Sequence, residues 1–226
     1  MGSDFQQEPF IDAEFFDNPE PRCPCLLLLD VSASMNGRPI NELNSGIQTF
    51  EQELKADGLA SKRVDVAIVT FGPTRIAAEF AAAQNFYAPH LSSEGATPMG
   101  EAIEEGLRML KSRKQQYREA GISPYRPWVF LITDGAPTDD TKRAITAIRE
   151  GEEKREFSFY AVGVEGADMG MLSELSVRAP LRLKGLAFSE LFRWLSNSLS
   201  SVSRSNVGDQ IALENPAAPD GWAIVD

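Results

Sequence analysis

Apolar residues run without interruption from Leu26 to Leu29, behind Cys25 and ahead of Asp30. A strand with one wet face alternates apolar and polar positions, so this run predicts a strand buried on both faces, at the centre of a parallel sheet. Val64 to Phe71 (VDVAIVTF), Trp128 to Thr133 (WVFLIT) and Phe157 to Val164 (FSFYAVGV) predict further strands. Between them the apolar spacing becomes helical, through Ile40, Leu43, Ile47, Phe50 and Leu54, then Met99, Ile103, Leu107 and Leu110, then Ala144, Ile145 and Ile148. Gly37 and Pro39 mark the turn before the first of these helices, and Gly58 ends it. Thr97-Pro98 reads as the start of the second, with Thr97 as N-cap and proline at the first helical position, and the helix fades near Ala120-Gly121. The third lies between Thr141 and Glu156. Gly72-Pro73 turns into a shorter strand near Ile76 to Phe80, and residues 81–96 have no periodicity and read as a loop. A short helix at Met169 to Leu175, a short edge strand at Leu181 to Leu183, and a final helix bearing Phe188, Leu191, Phe192, Leu195, Leu199 and Val202 complete the body. Strands alternating with helices imply right-handed parallel crossovers, hence an α/β fold of three layers with a central, mostly parallel sheet.

The two ends read differently. Residues 1–22 hold Asp4, Glu8, Asp12, Glu14, Asp17 and Glu20 against Arg22, with Phe10, Phe15 and Phe16, and are expected to form an acidic arm partly held by its aromatics. Residues 204–226 are polar and contain proline, except for Trp222, which is expected to fold this tail back onto a domain of residues 23–203.

A length of 226 residues suits one core with tails. The formal charge is −11, with no Lys/Arg cluster able to follow a phosphate backbone, so nucleic acid is not the expected partner and cationic or metal-bearing partners are easier to accommodate. No basic start followed by an apolar run is visible at the N-terminus and no segment has the length of a membrane span, so a cytoplasmic, soluble protein is the expectation. Cys23 and Cys25 flank Pro24, where a disulfide would be strained and two thiols alone cannot close a zinc site; they read as reduced, structural residues, Cys25 facing the core. The single histidine, His90, is far in sequence from any evident nucleophile.

The candidate chemistry lies in Asp30, Ser32, Ser34, Thr97 and Asp134, all placed at strand ends or helix starts. Open α/β sheets bind ligands beyond the carboxyl ends of their strands. If the chain stays extended beyond Asp30, every second oxygen points to one side. Two carboxylates and three hydroxyls are hard oxygen donors of the kind Mg²⁺ takes with water, and a softer metal would require His or Cys. Each residue also has a simpler explanation: Ser32 and Ser34 as turn residues, Thr97 as a cap, Asp134 as the first residue of an Asp-Gly turn. Asp139 and Asp140 read as favourable charges at a helix N-terminus, while Arg75 and Glu94 stand where a rim would be.

Asp30-Val-Ser32-Ala-Ser34 resembles the DxSxS motif of von Willebrand factor A domains, Thr97 in SSEGATPMGEAI resembles their second element, and Asp134 in FLITDGAPTDD their third. The resemblance spans Cys25 to Val202 and implies their Rossmann-like fold. Within the superfamily the chain is similar to bacterial TerY-type proteins of tellurium-resistance and stress-response gene neighbourhoods, including the VSRS and PDGWA tail. The resemblance implies a metal-ion-dependent adhesion site. Ser32 and Ser34 would bind a divalent ion directly, Mg²⁺ first and Mn²⁺ or Ca²⁺ as alternatives. Asp30 and Asp134 would bind it directly or through water, and Thr97 in either way according to conformational state. The last position would take an Asp or Glu carboxylate from a partner protein, which for TerY-type proteins includes kinases, phosphatases or a stress-response assembly. Such a site recognises and does not transform.

The enzymatic alternative is a haloacid-dehalogenase-like phosphatase, which also ends an apolar strand in aspartate. It needs a second acid two residues on, and that position is Ser32. No GxxxxGK[ST] occurs for P-loop chemistry, and an extracellular adhesion module is disfavoured by the absence of a disulfide framework.

Overall fold

The computed structural model describes residues 11–224. Seven strands form one sheet, β1 (Cys23–Asp30), β2 (Val64–Phe71), β3 (Arg75–Ala82), β4 (Trp128–Thr133), β5 (Ser158–Gly163), β6 (Leu181–Leu183) and β7 (Ala223–Ile224), in the order β3-β2-β1-β4-β5-β6-β7. Strands β2, β1, β4, β5 and β6 are parallel, while β3 and β7 run antiparallel at the two edges. Among the described residues seven α-helices accompany them: α1 (Ile11–Asp17), α2 (Arg38–Ala56), α3 (Ala60–Arg63), α4 (Met99–Glu119), α5 (Lys142–Glu153), α6 (Met169–Leu175) and α7 (Phe188–Ser203). The expected α/β architecture of three layers is what forms.

The unbroken leucine run of β1 is explained by what lies on each face. Cys23, Cys25, Leu27 and Leu29 belong to a core layer shared with Ile40, Leu43, Ile47, Phe50 and Leu54 of α2 and Phe188, Leu191, Phe192, Leu195 and Leu199 of α7. Leu26 and Leu28 point the other way, into a layer with Met99, Ala102, Ile103 and Leu110 of α4, Ala144 and Ile148 of α5, and Leu172 and Leu175 of α6. Each buried side chain of this size contributes roughly 1.5–3 kcal/mol, and both sides of β1 gain it. Strand β4 divides likewise, Phe130 and Ile132 to one layer and Val129 and Leu131 to the other.

Sheet order reverses at β1. The chain passes from β1 to β2 on one side and later returns to β4 on the other. The loops after β1 and β4 therefore open a crevice at the carboxyl end of the sheet, where an α/β fold places its ligand.

Several local expectations need correction. Helix α4 begins at Met99 with Pro98 at the cap position, one residue later than the Thr97 cap predicts. Beyond Asp30 the chain is extended at Ser32 but not as far as Ser34, because Ala33–Met35 close into a 3-10 turn. Strand β6 is not an edge, because β7 pairs along it antiparallel. Helices α1 and α3 depart from expectation: α1 forms within the acidic arm, where the aromatics Phe15 and Phe16 are adjacent rather than helically spaced, and α3 is a single turn of four residues between α2 and β2.

In the N-terminal arm Phe15 is buried edge-on against Tyr117, with ring centroids 5.7 Å apart, whereas Phe16 is exposed; Phe10 lies outside the described residues. At the other end Trp222 is buried against Trp194, 5.6 Å between centroids, and Lys184 donates its backbone N–H to the Trp222 carbonyl. Cys23 and Cys25 are free thiols, both fully buried. Among the described residues no helix is long and apolar enough to cross a membrane.

Candidate functional site

Asp30 is the last residue of β1, and its carboxylate is fully buried. Its Oδ1 accepts the Ser32 backbone N–H at 2.8 Å and its Oδ2 accepts the Thr133 hydroxyl. Ser32 is extended, with φ −62° and ψ 168°, and the following 3-10 turn swings Ser34 back toward it. The two hydroxyls lie 2.9 Å apart, and Ser34 donates to Asp134 Oδ1 at 2.7 Å. The turn brings the oxygens of the DxSxS segment together, where an extended chain would have only aligned them. Asp134 leaves the end of β4 half-buried, and Ser34 is exposed, so the cluster passes from the core at Asp30 to solvent at Ser34.

Thr97 arrives from the long loop between β3 and α4. Asn44, buried on α2, holds that loop by donating to the Leu91 carbonyl at 2.9 Å and accepting the Leu91 N–H at 2.8 Å. Farther on, Glu94 N–H donates to Val31 O at 2.8 Å and Ala33 N–H to Gly95 O at 3.1 Å, fastening the loop directly to the DxSxS segment. Gly95 has φ +75°, and a Cβ there would lie 2.6 Å from the Gly72 carbonyl, so this approach requires glycine. Thr97 is buried, with its hydroxyl 3.7 Å from where a Cβ on Gly135 would be. Pro98, not Thr97, occupies the cap position of α4, and no side-chain cap bond comes from it. The cap reading of Thr97 is thereby corrected. The structure thus brings Asp30, Ser32, Ser34 and Asp134 into one bonded chain and sets Thr97 against the loop that carries Asp134.

Burial raises the Asp30 carboxyl above its ordinary value; the bonds from Ser32 and Thr133 act against this, and the neighbouring charge of Asp134 adds to it. Asp134 is raised as well, by burial, with the Ser34 hydroxyl opposing. Two carboxylates here share an environment that disfavours their charge. A divalent cation would offset that cost, and the donor chemistry suits one, because every side-chain donor is a hard oxygen. In an octahedral Mg²⁺ shell with oxygens about 2.0–2.1 Å from the ion, adjacent oxygens are about 2.8–3.0 Å apart. The Ser32–Ser34 and Ser34–Asp134 separations of 2.9 and 2.7 Å are close to that spacing.

Thr133, outside the set of oxygens that the sequence points to, also belongs to the site. It orients Asp30, and its hydroxyl also accepts the Gly135 N–H at 3.1 Å. The available signal was a lone hydroxyl closing the apolar run WVFLI. The expected rim residues Arg75 and Glu94 pair with each other at 2.8 Å, both exposed. His90 is exposed in a cleft of about 300 Å³ lined also by Pro73, Ile76 and Leu91. Asp140 accepts the Lys142 N–H at 3.0 Å, as expected for a charge at the start of α5, but Asp139 reaches instead to α4.

No curated protein sequence matches the chain. Among solved structures, the pilus adhesin SpaC of Lactobacillus rhamnosus GG in its open conformation is similar with a TM-score of 0.66 at 13% identity, over 80% of this chain and 30% of that one. The vWF domain of the type V pili tip protein Mfa5 from Porphyromonas gingivalis gives 0.57 at 10% identity, over 85% and 99%. Proximal thread matrix protein 1 of the mussel byssus gives 0.55 at 15%, over 80% and 47%. At these identities the likeness is one of fold, and the chain spans under a third of the length of the adhesin SpaC. The pattern of the von Willebrand factor type A domain matches residues 26–188, which is most of the sequence, and the chain belongs to that family.

Proposed function

We propose that the protein is a non-enzymatic interaction module. In this reading Asp30, Ser32, Ser34, Thr97 and Asp134 hold one divalent cation, Mg²⁺ first, and the cation grips an Asp or Glu side chain of a partner protein. The observation that carries it is the chain of contacts from buried Asp30 through Ser32 and Ser34 to Asp134, in which two carboxylates are raised above their ordinary values and spaced by hydroxyls. When bound, the ion supplies a Lewis-acidic position for an incoming carboxylate. The protein's own work is to hold that position still: Thr133 and the Ser32 N–H fix both oxygens of Asp30, and the turn at Ala33–Met35 aims Ser34. Ser32 interacts with Ser34 rather than presenting an acid, which favours recognition over phosphoryl transfer.

The finer reading places the module in the cytoplasm, in TerY-type tellurium-resistance or stress-response signalling, with a kinase, phosphatase or stress-response assembly as partner class. Its support is the likeness in sequence, tail included. Residues 23–203 are taken as the recognition domain, between the acidic arm and the C-terminal tail.

Calorimetric titration of wild type and Asp30→Ala with Mg²⁺ and Mn²⁺, alongside capture of partners in metal and in chelator, tests the reading. Metal binding that needs Asp30, with partners held only when metal is present, supports it. No metal binding by the wild type removes it.

A further inference from the structure

The loops that carry Thr97 and Asp134 are clasped together by residues that are not themselves candidate ligands. Thr97 N–H donates to the Thr138 hydroxyl at 3.1 Å, and Thr138 N–H donates back to the Thr97 carbonyl at 2.9 Å. One turn farther, Asp139 accepts Gly100 N–H at 3.0 Å and Glu101 N–H at 2.8 Å, using one carboxylate oxygen for each. The second and third amides of α4, those of Gly100 and Glu101, are thus satisfied by a side chain 39 and 38 positions later in the chain, while Met99 N–H donates to the Thr97 carbonyl just before the helix. The approach is close enough that a Cβ on Gly100 would lie 2.6 Å from the Asp140 carbonyl. We infer that Asp139, assisted by Thr138, is a positioning residue for the cation site, fixing the Thr97 hydroxyl relative to Asp134 by welding the start of α4 to the loop after β4. This rests on the proposed metal-binding role of Thr97.

Two features separate this role from ordinary helix capping. A capping residue next to its helix in sequence stabilises that helix alone. Asp139 lies five residues beyond Asp134 on the same loop, so its loss would let one candidate ligand drift from another while removing neither. Groups that orient metal ligands in this indirect way commonly change metal affinity by about 10- to 100-fold.

The test is a double-substitution cycle on the full chain with Mn²⁺ as probe. Wild type, Thr97→Ala, Asp139→Ala and the double variant are titrated by calorimetry, and water-proton relaxation reports the number of waters on the bound ion. Asp139→Asn, which keeps one acceptor, is the rescue. If Asp139 works through Thr97, each single change lowers Mn²⁺ affinity about tenfold, the double change lowers it no further, and Asp139→Ala gains the same extra water as Thr97→Ala. The Asn variant recovers part of the affinity. Effects that multiply in the double variant, or an Asp139→Ala protein that melts earlier in chelator yet binds Mn²⁺ as wild type does, reduce Asp139 to a structural cap and overturn the inference alone. A wild type that binds no Mn²⁺ overturns both the inference and the metal reading beneath it.

Discussion

Two aspartates are fully buried at opposite ends of adjacent strands, and the fold treats them in opposite ways. Asp65, at the start of β2, is surrounded by positive charge and donors: Arg113 donates to its Oδ2 from Nη2 at 2.6 Å and from Nε at 3.0 Å, and Tyr117 adds its hydroxyl at 2.7 Å. Arg22, also fully buried, stands 3.9 Å from Oδ1 without a hydrogen bond, and Glu14 of the arm meets the far side of Arg113 at 2.6 and 3.0 Å. Burial works against the Arg113 charge, but Glu14 and Asp65 more than offset it, so this guanidinium is held charged. Asp30, at the end of β1, is met by a hydroxyl and a backbone N–H, and the charge acting on it is that of a second carboxylate. The protein sets its own guanidiniums against the charge of Asp65, whereas burial and the charge of Asp134 act against that of Asp30. Asp65 ties the N-terminal arm to the sheet, and Asp30 is the aspartate proposed to meet a cation.

The contrast is most directly broken by removing each aspartate. Asp65→Ala leaves two buried guanidiniums without their shared partner and is expected to cost about 3–5 kcal/mol, read as a lower urea midpoint. Asp30→Ala, measured in chelator, is expected within about 1 kcal/mol of wild type, because the carboxylate it removes is disfavoured by its own surroundings. Addition of Mg²⁺ at about one hundred times its dissociation constant should stabilise the wild type by about 2.7 kcal/mol and Asp30→Ala not at all. If the two variants lose equal stability in chelator, Asp30 is a structural residue like Asp65 and the distinction fails.

Thr133→Val sharpens the same comparison. It removes the hydroxyl that fixes Asp30 Oδ2 while keeping shape and strand preference. Mg²⁺ affinity is expected to fall about tenfold, with the metal-free urea midpoint nearly unchanged. A large loss of metal-free stability instead would mean that the hydroxyl serves the fold, as Tyr117 does for Asp65.

The difference between these two ends also sets what was legible in the sequence. Leu26–Asp30, Trp128–Thr133, Met169–Leu175 and the helix from Phe188 were readable because each is a run whose period is imposed by the layer it faces. The α/β architecture followed from their alternation. Asp30, Ser32, Ser34 and Asp134 were readable as a group because their oxygens are close in sequence to strand ends. Thr133 was hidden as the last letter of a strand, and the Asp139 contact was hidden by its separation from α4, since its neighbour Lys142 begins a helix that explains an acidic residue equally well. The Asp65 network was invisible for a stronger reason. Glu14 and Arg22 come from the arm, Asp65 from β2, and Arg113 and Tyr117 from one face of α4, and only the folded chain shows that VDVAIVTF contains a charge that must be matched. Strand β7 escaped because two residues carry no period.

The weakest expected effect probes the core beside Asp65. Burial first, and the Asp65 charge second, push the Cys23 thiol up to about 12, and burial raises Cys25 well above its ordinary value too. Both thiols remain protonated in the folded protein at a pH where the unfolded chain releases them near 9.0. The stability due to this difference is therefore fully present well below pH 9 and is lost as pH rises through 9 toward 12, because the unfolded state alone gains the ionised form. At pH 9, where each unfolded thiol is half ionised, the two together should lower stability by about 0.8 kcal/mol. Urea midpoints recorded from pH 7.5 to 10 should therefore fall more steeply for wild type than for Cys23→Ala/Cys25→Ala, whatever the absolute cost of the cavities in the double variant. Alkylation at pH 8 gives the matching kinetic result, with the native chain left unlabelled over a time in which the urea-unfolded chain reacts fully. Equal slopes, or rapid labelling of the native chain, would mean that β1 opens at its Asp65 end. That end, rather than the proposed cation site, would then be the labile part of the sheet.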